Sequence, residues 1–123
     1  MKDEPSGYYI RRWQSLSAMG WLAVPTPVHE IVLTGYETTP MIAHRPYKGH
    51  DRWFVTGWQL TEPTSGYVVL IDSFPSIAAA IDGIGKWLRD NGITAERLRE
   101  TVEFQIKFRG ISPKYAPKEG GAI

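Results

Sequence analysis

The chain of 123 residues contains no cysteine. That excludes disulfide staples and thiol chemistry, and it removes the main ligand of the common zinc sites. No run approaches the ~20 apolar residues a membrane-spanning helix needs, so no membrane partner is expected. The opening residues Met1-Lys2-Asp3-Glu4-Pro5 have no apolar stretch behind them, unlike a secretory signal, and a cytoplasmic location is expected. Catalytic signatures are also missing. No serine sits in a G-x-S-x-G turn, and there is no G-x-x-x-x-G-K-[ST] or G-x-G-x-x-G loop. Gly83-Ile84-Gly85 falls inside an expected helix, where no phosphate-cradling loop forms. The acidic residues are scattered singly rather than paired for acid–base work. His29, His44 and His50 match no metal-ligand spacing. The expectation is therefore no catalytic residue, no metal and no cofactor.

Strong charge is lacking as well. The net charge is +1, and a nucleic-acid-binding domain is often far more basic. Its distribution is uneven. Residues 53–85 hold no Lys or Arg and three acids, Glu62, Asp72 and Asp82. Residues 86–123 hold eight Lys/Arg against five Asp/Glu. A buried sheet with a packed helix produces such a middle, and an acid-lined partner site is the other reading. A chain this long buries about two-thirds of the surface its unfolded state exposes, enough for one unstapled core.

What is present is punctuation and periodicity. Tyr9, Trp13 and Leu16 recur at four and three, which predicts a short N-terminal helix, although Tyr8-Tyr9-Ile10 could equally open a strand. Pro25-Thr26-Pro27 ends that element. Residues 29–36, 41–45, 53–60 and 67–71 read as β-rich runs separated by Pro/Gly turns, hence an antiparallel meander. Ser73 is the expected N-cap of a helix whose apolar face is Ile77, Ile81, Ile84 and Leu88, with Asn91-Gly92 at its end. Gly83 and Gly85 inside it fit a close neighbour or a bend, and equally a helix that simply tolerates two glycines. Thr94–Glu100 reads as a helical turn or a short second helix. Val102-Glu103-Phe104-Gln105-Ile106-Lys107-Phe108 alternates strictly, which predicts a strand with its apolar residues inward and Glu103, Gln105 and Lys107 in water. Pro113, Pro117 and Gly120-Gly121 mark a tail.

The predicted architecture is α+β: a four- to five-stranded antiparallel meander, one main amphipathic helix on one face, a short N-terminal helix and a disordered C-terminal tail. Its boundaries are an N-terminal lead over 1–28, a single domain over 29–110 and a flexible tail over 111–123. The order helix, antiparallel strands, helix resembles double-stranded-RNA-binding domains and the small DNA-binding domains of integrases, in topology alone. The basic cluster that the former carry at the second helix is replaced here by Ser76-Ile77-Ala78-Ala79-Ala80, so no family is assigned.

The aromatic content carries the functional expectation. Five Trp and six Tyr exceed what such a core requires, and these residues favour interfaces. Trp13, Trp21, Trp53, Trp58 and Trp87 are the candidates for exposed contact. A second cluster, residues 44–53, sets Arg45, Tyr47, Lys48, His50 and Arg52 around one hairpin tip, able to clamp phosphate and stack a base or to meet a protein. The binding candidates are Arg45, Tyr47, Lys48, His50, Arg52 and Trp58. A small non-catalytic protein acting through another protein, as adaptor, inhibitor or accessory factor of phage or mobile-element type, is the first expectation. A nucleic-acid-binding module using the hairpin is the alternative, and an enzyme with an unrecognised site a distant third. The identity of the partner and the oligomeric state are not readable from the sequence.

Overall fold

The computed structural model describes residues 9–15, 18–23, 27–49 and 52–112. It opens on a hairpin rather than the expected helix: β1 (Tyr9–Ser15) pairs antiparallel with β2 (Ala18–Ala23). Tyr9, Ile10 and Trp13 are strand formers, and Gly20 falls within β2, so local preference opposes a helix here. The central sheet starts with β3 (His29–Ile31) and β4 (Met41–His44). A small hairpin of β5 (Tyr47–Gly49) and β6 (Arg52–Trp53) follows, and β7 (Gln59–Thr61) returns to the sheet. The order is β3-β4-β7, antiparallel throughout.

This three-stranded sheet replaces the predicted four- to five-stranded meander, for local reasons. After Ile31 the chain turns, with the Tyr36 N–H donating to the Leu33 carbonyl at 2.8 Å. Residues 53–60 divide at Gly57, whose φ of +87° is a left-handed conformation no other residue adopts cheaply. The Ser73 hydroxyl fills the space a side chain at 57 would need. Residues 67–71 form no strand. Tyr67 makes a single bridge to Glu62, and Phe74 makes one to Trp58.

Helix α1 (Ile77–Asp90) starts at Ser76, not Ser73, and the Ser76 hydroxyl accepts from the Ala79 N–H at 3.0 Å. Its predicted face is correct: Ile84 and Leu88 are buried, and Ile77 and Ile81 pack at the edge of the same core. Gly83 lies under the Phe74 ring, where a Cβ would meet Cε1 at 2.6 Å, so the glycine permits that approach. The helix ends at Asn91-Gly92, glycine again at positive φ.

Helix α2 (Ala95–Arg109) corrects the largest misreading. Thr94 caps it, accepting from the Arg97 N–H at 3.1 Å, and it runs through the alternating segment predicted as a strand. Residues two apart on a helix point about 200° apart. The four apolar residues therefore divide into two opposite stripes. Val102 is buried and Ile106 half-buried against the body, while Phe104 and Phe108 face out. No helix among the described residues is long and apolar enough to cross a membrane.

The core lies between the sheet and the helices. Met41 and Ala43 of β4 and Leu60 of β7 meet Ile84, Leu88 and Leu98, with Leu33 and Tyr36 closing one end. The Tyr36 hydroxyl donates to the Ile93 carbonyl at 2.5 Å, tying the turn after β3 to the connection between the helices. All four residues of β4 are buried, so the strand is covered on both faces. The described chain ends at Ser112, whose N–H donates to the Thr64 carbonyl at 2.8 Å. The predicted tail beyond it, residues 113–123, lies outside the described residues.

Candidate functional site

Of the six predicted binding residues, Arg45 and Trp58 are the two whose side chains fall within the description, and they hold each other. The Arg45 guanidinium lies 3.8 Å from the Trp58 ring centroid and donates to the Gly57 carbonyl at 3.0 Å. His29 meets the same ring edge-on, at a centroid distance of 5.4 Å. Arg45 is thus half-buried and partnered, rather than an open cation. Tyr47 and Lys48 lie in β5 and Arg52 in β6. That hairpin brings Tyr47 opposite Trp53, with a register shift before Gly49 and Arg52. His50 lies outside the described residues.

One pair has the geometry of a nucleophile and its base. The Thr61 hydroxyl is 2.7 Å from His44 Nε2, and His44 Nδ1 is 2.7 Å from the Arg45 carbonyl. A carbonyl only accepts, so Nδ1 carries the proton and Nε2 accepts from the threonine. Burial depresses the His44 pKa below 6.5, against the opposing pull of the Arg45 carbonyl, and keeps the ring neutral. Both residues are within 2% of complete burial. At that burial the hydroxyl is closed to a substrate carbonyl, and the pair joins β4 to β7.

A second polar centre is equally internal. The Glu62 carboxylate is buried in the turn after β7 and accepts from the N–H and hydroxyl groups of both Thr64 and Ser65 at 2.7–3.1 Å. It organises a turn rather than an active site. Among the described residues no three His, Asp or Glu side chains converge on a metal position.

Two hollows are lined by described residues. One, of about 230 Å³, lies between Tyr67, the end of α1 and the first turns of α2. The other, of about 580 Å³, is an open apolar groove along β3 and β4, between Val32, Pro40, Ile42 and Pro63.

The outer face of α2 is the feature sequence reasoning missed. Phe104 and Phe108 are 58% and 69% exposed, and their rings stack at 5.7 Å with an interplanar angle of 8°. They are one helical turn apart, on the side away from Val102. The signal was already visible in the alternation, because a helix through it must place two phenylalanines outside. Trp87 of α1 is 37% exposed. In comparisons with known proteins, no family model, no curated protein and no solved structure matches the chain.

Proposed function

We propose that the protein is a small non-catalytic binding domain that acts through protein–protein contact, with the outer stripe of α2 as its contact surface. The observation that carries this reading is the stacked pair Phe104 and Phe108, held outward on a regular helix already anchored from its opposite side. Aromatic residues in water are what interfaces are enriched in. The polar centres that resemble active-site parts are buried and internally satisfied, which favours binding over chemistry. The nucleic-acid alternative draws less support. Arg45, the hairpin cation whose side chain is described, is engaged with Trp58 and Gly57.

The test is a photo-reactive benzoylphenylalanine at position 104, irradiated in cells of the native host, with the same group at exposed Asp82 of α1 as control. The expected result is a covalent protein adduct from position 104 that the control lacks. No adduct from position 104 would refute the reading.

A further inference from the structure

We infer that the protein met by this stripe is a second copy of the chain, with the two α2 helices antiparallel across a two-fold axis; the inference rests on the stripe being a contact surface. The argument comes from the charges beside the phenylalanines. At about 100° per residue, Glu100 and Lys107 lie on the same flank of Phe104, roughly 40° and 60° around the helix from it. Glu100 is toward the N-terminal end and Lys107 toward the C-terminal end. Both are exposed, and neither has an ion-pair partner among the described residues. Four other helix charges are paired along their own helices, Arg99 with Glu103 at 3.1 Å and Lys86 with Asp90 at 2.5 Å.

A two-fold axis crossing the helix at Phe104 reverses direction along the helix and preserves the flank. Glu100 of one copy then faces Lys107 of the other, and the pair forms twice. Phe104 meets its own counterpart, and Phe108 lies over Thr101. The patch is complementary to itself turned end for end, which is the condition for an isologous contact. Side by side and antiparallel, the two helix dipoles also attract each other.

The area sets the strength. With 58% and 69% of two phenylalanines exposed, the stripes offer roughly 500 Å² of aromatic surface in the pair. A standard interface is at least about twice that, so the contact is weak and reversible with concentration.

The experiment is sedimentation equilibrium of the full chain over a concentration series, with circular dichroism on each variant. Wild type is expected to show a monomer–dimer equilibrium. Phe104→Ser should abolish the dimer. Glu100→Lys and Lys107→Glu should each weaken it about tenfold, since each replaces two attractions with two repulsions. Glu100→Lys combined with Lys107→Glu should restore it to near wild type. Wild type that stays monomeric at the highest soluble concentration overturns the inference, as does a double reversal no tighter than the single ones. Its failure is distinguishable from that of the surface reading: a monomeric chain whose position 104 crosslinks a different protein in cells loses the second copy and keeps the surface. A chain that is monomeric and gives no adduct loses both.

Discussion

Replacing Glu62 with alanine tests how much one buried carboxylate holds in place. Glu62 is 3% exposed and its two oxygens receive four donors. Oε1 accepts from the Ser65 N–H at 2.8 Å and the Ser65 hydroxyl at 2.7 Å, while Oε2 accepts from the Thr64 N–H at 3.1 Å, and the Thr64 hydroxyl is shared between them. The Ser65 hydroxyl in turn accepts from the Tyr67 N–H at 3.1 Å. Removing the carboxylate leaves the donors of Ser65, itself buried, without an acceptor. Hydrogen bonds to a charged group contribute ~1.5–3 kcal/mol each and a stranded buried donor costs ~1–3 kcal/mol. The carboxylate's own desolvation, relieved by the deletion, offsets part of the sum. The expected loss is about 3 kcal/mol. Glutamine should recover little, because its amide nitrogen would face donors. Urea unfolding followed by tryptophan fluorescence measures the change, provided the slope with denaturant is unaltered. A loss below about 1 kcal/mol would show that the turn holds without its carboxylate.

Two further outcomes follow from burial. Ile84→Ala should cost ~3–5 kcal/mol, and Ile81→Ala, half-buried at the core's edge, clearly less; equal losses in urea melts would contradict the packing described for α1. His44 has its pKa depressed by burial, so the folded state favours the neutral ring. Its contribution is present above the ordinary value of 6.5 and is lost as pH falls below it, because the unfolded chain takes up a proton the folded one resists. Wild type should therefore lose more stability between pH 7 and pH 5 than His44→Gln does; parallel pH profiles for the two would sink the assignment.

Sequence periodicity revealed α1 because four residues on one stripe and a glycine stop reinforce each other. The N-terminal stripe rested on three residues, and strand preference in Tyr9, Ile10 and Trp13 outweighed it. Strand lengths were overread where single backbone positions decide them, Gly35 and Gly57 with φ near +90° being the instances. Residues 102–108 misled for a different reason. Alternation describes one apolar face on a strand and two on a helix, and pattern alone does not separate them. Thr94 as a cap followed by Glu96 in the first turn was the local signal for the helix. The candidate site was legible only in part: Arg45 and Trp58 do come together, but on each other.

The same two-faced segment has a consequence for what happens when α2 melts. Val102 to Phe108 is seven residues without proline or glycine, with one acid and one base cancelling. Released from the helix, it is a ready strand whose identical neighbours would stack in register, phenylalanine on phenylalanine and glutamine on glutamine. The Thr94 cap and the burial of Val102 hold this segment in the helix. Conditions that fray the end of α2 would expose a segment with the composition of a cross-β former.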